Sequence, residues 1–530
     1  MKAHTLPLAE TGIYGKLMMD YLEGHPALRE FYKYLPSTAA VPDIIRDRME
    51  FPFHRHVLAE VLVSQHSQYF SRFPLLETQI GKIKEKNTFT VTTGHQPCIA
   101  GGPLFFFYKL ITTINLARQL NEQYPDFHFV PVFWLGAEDH DLDEVNNVFL
   151  HGKTFKWNSH QTGATGRMSL EGIETFINDL KTVFEKEQFA QQAIEKLEHA
   201  YLQQSSLADA TRDFALSFFG AEGLLVLDAD QPELKKLLKN IIHQELAIQP
   251  SFRLLTETNE QLEKNYKLQV NPREINLFYL DDQLRERIVR DERGHYDIVN
   301  TDLDFSADFI LDLADKQPER FSPNVILRPV YQEIVLPNIA YIGGPGEIAY
   351  WLQLKSTFEH YQVSYPMLVP RNNAVILPAR QLEKFTQLGF QLKDVFRSFG
   401  ELSKEWLNTQ EDLSEKVESV KSELQKLYAQ IAVDFSLVDA TLESSVMAEA
   451  QKVVNSLDNL LKKGNAALKR KHEVVLNQIK NLLDKANPND SPQERLVNIF
   501  QFYPKHGDAF IQQLLQHFVA LSGEMVMFEE

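Results

Sequence analysis

Cysteine is almost absent: Cys98 is the single cysteine in 530 residues. One thiol cannot form an intramolecular disulfide, nor can it build a cysteine zinc cluster. No uninterrupted apolar run reaches the roughly 18 residues that a membrane helix needs. The opening residues, MKAHTLPLAETGIY, lack the long apolar stretch of a signal peptide. Positive charge is also short. Lys and Arg total 54 against 72 Asp and Glu, a formal charge of −18 with a pI near 5.5. That balance argues against a general nucleic-acid binder. What remains is the ordinary composition of a globular protein, 44% hydrophobic and 24% charged. The length implies about two to four domains. A cytoplasmic protein, with no nucleic-acid partner and no membrane segment, is the expectation.

The chain is organised around Phe89–Asn146. Thr88–Thr93 is β-branched and apolar and predicts a buried strand. Gly94-His95-Gln96-Pro97 breaks it, and Gly101-Gly102-Pro103 opens a helix to about Gln123, with proline suited to a first helical turn. Phe129–Leu135 predicts a second strand, followed directly by Glu138-Asp139-His140-Asp141. Strand, turn, helix and strand at this spacing form a βαβ unit, which requires a parallel sheet. Ligands of such sheets sit off the carboxyl ends of the strands. The glycine turn and the acidic run therefore should face one crevice.

Elsewhere the pattern alternates. Residues 1–87 read as mostly helical, with helical spacing at Val57–Phe70. His54 and His56 are candidate ligands or, alternatively, surface polar residues. A short strand at Val148–His151 precedes helices Ile173–Lys186 and Ala190–Gln203. GLLVLDAD, Gly223–Asp230, is an apolar strand ending in aspartates. Leu277–Leu280 and Arg287–Arg290 read as strands, and residues 306–315 as a helix. Ile339–Ile342 leads into Gly343-Gly344-Pro345-Gly346-Glu347 and a helix over Ile348–Tyr361, and Met367–Val369 is a last strand. From about 384 apolar residues step by four and three, at Leu413, Val417, Val420, Leu424, Leu427 and Ile431, and again from Val446 to Leu460. Two such seams predict an antiparallel helical hairpin, interrupted near Gly464; a compact bundle fits the same periodicity. The domain reading is a core over 1–383 with insertions around 150–215 and 240–320, a coiled-coil hairpin over 384–486, and a helical segment over 487–530 packing back on the core.

Three motifs carry chemistry. Backbone N–H groups of a glycine-rich turn at a helix start favour an anion, which nominates Gly94, Gly101 and Gly102. No Gly-Lys-Ser/Thr follows, and the dinucleotide glycine spacing is missing; a tight strand-to-helix turn also needs glycine. The second turn, with Gly343, Gly344 and Gly346, repeats the arrangement. Its Glu347 either caps the helix or holds a hydroxyl or amine. Glu138, Asp139 and His140 could hold a metal or an ammonium, or act as a base; alternatively Asp141 or Asp143 caps the next helix. Cys98 lies inside the first turn, and the basic run Lys462–Glu473 is either a phosphate site or a solvated helix face.

With those residues placed, the chain resembles the cysteine ligase family of bacillithiol biosynthesis, BshC. The matching stretches are TTGHQPCIAGGPLFFFYK, VPVFWLGAEDHDLDEVN, GLLVLDAD, SPNVILRPVYQEIVLPNIAYIGGPGEIAYW, LVPR and QERLVNIFQFY. One departure is His95, where the family commonly has glutamine; it makes the turn similar to the histidine loop of class I nucleotidyltransferases. The resemblance implies an α/β fold: a Rossmann-like parallel-sheet core with inserted connecting segments and a C-terminal antiparallel coiled coil that makes a homodimer. It implies ligation of cysteine to glucosaminyl-malate, with ATP suspected as the activator of the carboxyl. On that reading His95, Glu138 and Asp139 are catalytic. Gln96, His140, Arg328, Glu347 and Arg371 bind substrate, with both arginines on the malate carboxylates. The glycines of the two turns bind a nucleotide or anion, and no resident metal is needed. A nucleotide-binding coiled-coil scaffold without turnover is the alternative; a metal-dependent phosphohydrolase using Glu138 and Asp139 is a third reading.

Overall fold

The structure is a computed structural model and describes Met1–Glu530. The chain forms two compact units. The larger comprises Ala3–Val375 and Gln493–Val526; the smaller comprises Met1–Lys2, Ile376–Pro492 and Met527–Glu530. The change of unit comes at Ile376 rather than 384. Helix Ala379–Gln387 already belongs to the smaller unit, where it packs on Glu473–Ala486. The segment after 487 is not all helical either. It closes on a strand, Glu524–Glu529, whose Met525–Phe528 are buried.

Five strands centre the larger unit: β1 Thr88–His95, β2 His128–Leu135, β3 Leu225–Asp228, β4 Asn338–Gly343 and β5 Met367–Pro370. Their order is β3-β2-β1-β4-β5, and every pairing is parallel. Thr88 to Gly94 are all buried, as a strand covered on both faces requires. Helix α1, Phe105–Gln123, crosses from β1 to β2; α2, Arg328–Val335, leads into β4; α3, Pro345–Leu352, leaves it. One core cluster joins Phe89 and Val91 of β1, Leu116 and Leu120 of α1, Phe129 of β2, Ile339 and Ile342 of β4, and Met367 and Val369 of β5. The helix expected over Ile348–Tyr361 is two, because α3 stops at Leu352 and a second runs over Lys355–His360. Between them lies buried Gln353, whose Oε1 accepts from the Gln269 and Val270 N–H groups at 3.0 and 3.1 Å.

The insertions have structure of their own. A hairpin, Asn147–Leu150 with Lys153–Lys156, precedes helices Ile173–Phe184, Ala190–Leu202 and Leu207–Phe219. The later insertion holds helices Lys239–Ile248 and Pro250–Leu262 and an antiparallel sheet built on Leu277–Asp281 and Leu284–Arg290. The order of the parallel sheet reverses between β1 and β4. That is the switch point where ligands of open α/β sheets bind.

In the smaller unit α4, Leu413–Ser436, and α5, Leu442–Lys471, form an antiparallel hairpin followed by α6, Glu473–Ala486. Lys421 bonds Asp458 at 2.5 Å and Lys471 bonds Glu411 at 3.2 Å, which fixes the register. The expected interruption at Gly464 does not occur, and α5 runs straight through. The glycine instead permits close packing: a Cβ there would lie 2.9 Å from Leu413 Cδ1. Val420, Leu427, Ile431 and Leu460 stay exposed.

Candidate functional site

The parallel register brings the strand ends level. β1 and β2 pair through His95 and Leu135, β2 and β3 through Leu135 and Asp228, and β4 and β5 through Gly343 and Pro370. The residues just beyond rim one cavity of about 500 Å³. Gly94 and His95 at the end of β1 with Gln96 after it, Glu138 and Asp139 after β2, Gly344, Gly346 and Glu347 after β4, and Arg371 after β5 all line it, with Arg328 of α2. The two glycine turns and the acidic run thus share one crevice, as their positions after apolar strands predict. His140, Gly101, Gly102 and Gly343 do not line it, and neither do His54 and His56.

The charges in the wall are mostly matched. Glu347 is the N-terminal cap of α3: its Oε2 accepts from the Gly344 N–H at 2.9 Å, and Tyr341 donates to its Oε1 at 2.6 Å. Lys109, buried in α1, pairs with it at 2.5 Å and also bonds the Gly94 carbonyl at 2.8 Å. Burial alone would raise the Glu347 carboxyl, but Lys109 and the Gly344 N–H outweigh it and hold the group below its ordinary value. The Gly344 donor is therefore spent on Glu347, whereas Gly346 in the first turn of α3 borders the cavity. Arg371 corrects the expectation of a free carboxylate clamp. Its Nη2 pairs with buried Glu494 at 2.6 Å, and only its Nε, within 3.7 Å of where a Gly344 Cβ would stand, has no partner. Arg328 differs. It makes no ion pair: Nη2 donates to the Tyr350 hydroxyl at 2.8 Å and Nη1 to Gln332 at 3.2 Å. Arg495, exposed on the rim, makes no ion pair either.

The acidic run is held by cations that sequence reasoning did not find. Glu138 pairs with Lys235 and accepts from the Ser322 hydroxyl at 2.7 Å. Asp139 accepts from Gln96 Nε2 at 2.7 Å and from the His140 N–H at 2.7 Å, with Arg285 Nη1 at 3.8 Å. His140 turns to Arg285, whose Nη1 donates to its Nδ1 at 2.7 Å, and its ring lies against Phe278. Burial, then Arg285, lowers the pKa of His140, and its Nδ1 is engaged with Arg285 outside the cavity lining. Asp141 does cap the short helix Leu142–Val145, accepting from the Glu144 N–H at 3.3 Å. Glycine matters most at Gly166. Its N–H donates to the Ala137 carbonyl at 2.8 Å, and a Cβ there would lie 2.4 Å from Ala137 Cβ. That contact positions Arg167, which holds Asp230 through two bonds of 2.6 and 3.0 Å.

The first turn departs from expectation. Gly101 and Gly102, at φ of 74° and 61°, shape the chain rather than bind an anion. Their N–H groups go to the Cys98 and Ile99 carbonyls at 3.1 and 2.9 Å, and a Cβ on Gly102 would sit 2.9 Å from Cys98 Cβ. Asn498 closes the turn through the Ala100 carbonyl at 2.9 Å, so the start of α1 is covered by protein. His95 packs edge-on to Phe105 with its Nε2 3.6 Å from Cys98 Sγ. Burial, then Lys109, pushes its pKa down to about 3, so at neutral pH it donates or accepts a hydrogen bond without carrying charge. Burial pushes the Cys98 thiol up to about 12, which removes it as a nucleophile. No group of three or more His, Cys, Asp or Glu is placed to hold a metal, and no helix is long and apolar enough to cross a membrane.

The partners missed by sequence reasoning, Lys109, Lys235, Arg285 and Glu494, come from four distant segments. Only Lys109 left a trace: it is the lone charge in FFFYKLITTI, at the apolar start of α1.

Comparison with known proteins agrees with this architecture. Residues 1–372 match the family model described as "Bacillithiol biosynthesis BshC, N-terminal Rossmann-like domain", and residues 374–530 match "Bacillithiol biosynthesis BshC, C-terminal coiled-coil domain". A protein of Flavobacterium psychrophilum named "Putative cysteine ligase BshC" is 38% identical over 97% of both chains. Its namesake in Flavobacterium johnsoniae is 38% identical over 96% of both, and that of Chlorobium phaeobacteroides 31% identical over 88% of this chain and 87% of its own. The switch-point crevice, the helical hairpin and this full-length likeness place the chain in the BshC family of bacillithiol-biosynthesis ligases.

Proposed function

We propose that the crevice joins the carboxyl of cysteine to the amine of glucosaminyl-malate. The observation that carries this reading is Arg328, an arginine in the cavity wall with two neutral hydrogen-bond partners and no ion pair. Every carboxylate in that wall already has a cation, so the leftover charge is positive and calls for an anionic ligand. Arginine suits a carboxylate because its planar fork can donate two parallel bonds. Malate supplies two carboxylates: Arg328 takes one, and Arg495 with the unpartnered Nε of Arg371 is placed for the other. Asp139, aimed by Gln96, faces the amine and relieves it of a proton as the amide forms. His95, uncharged, donates a hydrogen bond to the oxygen on which negative charge develops.

A free carboxylate is a poor acyl donor, because its leaving group would be hydroxide. ATP would sit against the same cationic wall, with the first turn of α3 as its phosphate partner; when bound it supplies a leaving group for the carboxyl. The hairpin reading belongs here as well. The exposed stripe of Val420, Leu427, Ile431 and Leu460 suits a second copy of the chain, making a homodimer.

The test mixes purified protein, cysteine and glucosaminyl-malate with and without ATP, and follows the thiol product by mass spectrometry alongside nucleotide cleavage. Product formed only with ATP, and lost in Arg328→Ala, is the expected result. Product without nucleotide cleavage removes ATP from the reading, and no product in either mixture removes the ligation.

A further inference from the structure

Beside the crevice lies a second cavity of about 490 Å³, with Ala137 and Asp230 in the walls of both. Helix Arg55–His66, the Thr165–Arg167 turn, helix Leu207–Phe219 and the end of β3 enclose it. Its lining is polar, rich in glutamine side chains. Most of its charges are already paired: Arg167 holds Asp230 through two bonds, and Asp209 holds Arg212 Nη1 at 2.5 Å. Two valences of opposite sign are left over. Arg212 is 3% exposed, and its buried Nε has no acceptor. Asp228 is 9% exposed and makes no ion pair; the bond its side chain receives is the Asp230 N–H at 3.0 Å. Burial, then the neighbouring Asp230, raises its pKa to about 7 against the opposing pull of Arg212. Buried groups of this kind are normally satisfied by protein, water or ligand.

We infer that this second cavity is the amino-acid subsite: it takes an α-amino acid as the zwitterion, with the ammonium on Asp228 and the carboxylate on Arg212. A neutral sugar would also satisfy polar amides, but it would give neither Arg212 Nε nor the Asp228 carboxylate a charged partner; a dianion or dication would serve only one of them. The shared wall at Asp230 sets the amino acid next to the crevice. The inference rests on the ligase reading only in naming that amino acid as cysteine, whose carboxylate leaves Arg212 for the crevice before the amide forms.

Calorimetric titration of the full chain tests it, with cysteine under reductant and serine as a non-oxidising stand-in. Lactate, which lacks the ammonium, and serine methyl ester, which lacks the carboxylate, are the control ligands. Both amino acids should bind saturably, and each control should bind roughly 10- to 100-fold more weakly, the effect of one charge-assisted bond. Asp228→Asn should weaken serine by a similar factor and leave malate binding intact; Arg328→Ala should do the reverse. The wild-type ligand series reads the site even where a variant folds poorly. Absence of saturable amino-acid binding at about 10 mM, ten times the usual upper KM of about 1 mM, overturns the inference. So does equal affinity for lactate, or tighter binding of glucose at this cavity. Malate binding indifferent to Arg328→Ala would sink the crevice reading and leave the amino-acid subsite standing.

Discussion

The crevice and the hairpin are built on opposite plans. Around the crevice, charge is buried and matched residue by residue: Lys109 to Glu347, Arg371 to Glu494, Lys235 to Glu138. Along the hairpin, charge faces solvent, and what lacks a partner is apolar, with Leu427 57% and Leu460 59% exposed. A buried ion pair adds little net stability but is costly to break, so the crevice pairs hold geometry rather than the fold's free energy. The unmatched member of each region is then the informative one. In the crevice it is Arg328, with Arg495 on the rim, which points to an anion; in the hairpin it is an apolar stripe, which points to another protein surface.

The largest expected effect lies at the ends of β1 and β2. Asp139→Asn and His95→Ala should each lower turnover roughly 100- to 1000-fold, the usual cost of one transition-state group, with an unchanged circular dichroism spectrum. Normal turnover by Asp139→Asn would make the acidic run a matched structural element like its neighbours. Next is the unmatched cation. Arg328→Ala should raise KM for glucosaminyl-malate about 10- to 100-fold, and Arg328→Lys should not restore it, since a point charge lacks the fork. On the hairpin side, Leu427→Glu with Leu460→Glu should weaken association roughly 10- to 30-fold, read as loss of dimer in light scattering. Wild-type protein that is already monomeric at micromolar concentration would break the comparison there.

A smaller effect sits at the glycine between the cavities. Gly166→Ala must push Ala137 away and should cost about 1–3 kcal/mol, seen as a lower denaturation midpoint. The smallest is a pH slope. His66 is buried and uncharged: its Nε2 accepts the Val226 N–H at 3.0 Å, its Nδ1 bonds the Leu62 carbonyl at 2.9 Å, and burial lowers its pKa to about 3. The unfolded chain takes up a proton near pH 6.5 that the folded chain refuses. Stability is therefore full above that value and falls by about 1.4 kcal/mol per pH unit below it. Denaturant titration at pH 7 and pH 5 should show a smaller drop for His66→Gln than for wild type.

Much of this frame was legible in the residues. β-branched and apolar runs ending in Gly94, in Gly343 and before Glu138 placed β1, β2 and β4, and the rule that ligands gather beyond such ends placed the crevice. The heptad steps placed α4 and α5. What failed was the assignment of backbone groups within a turn. Glycine in sequence does not say whether it borders a cavity at a helix start, as Gly346 does, or lets the chain bend, as Gly101 and Gly102 do. The arginines failed for a related reason. Arg328 and Arg371 look alike beside their prolines, and only the fold gives one an ion pair with Glu494 and leaves the other without one. Gly464 misled because helix propensity counts it as a break, whereas packing against Leu413 makes it an asset.

Trp134, at the end of β2 opposite Gly94, gives the crevice an optical property of its own. Of four tryptophans, Trp157 and Trp351 are fully buried and outside its lining, and Trp406 belongs to the smaller unit. Trp134 lines the crevice, edge-on to Tyr331 at 5.4 Å. A carboxylate or phosphate arriving there alters the field at one indole in four, so intrinsic emission follows crevice occupancy without a label. The second cavity has no tryptophan in its lining. Amino-acid binding there is spectrally dark, and emission and heat together sort the two sites in a single sample.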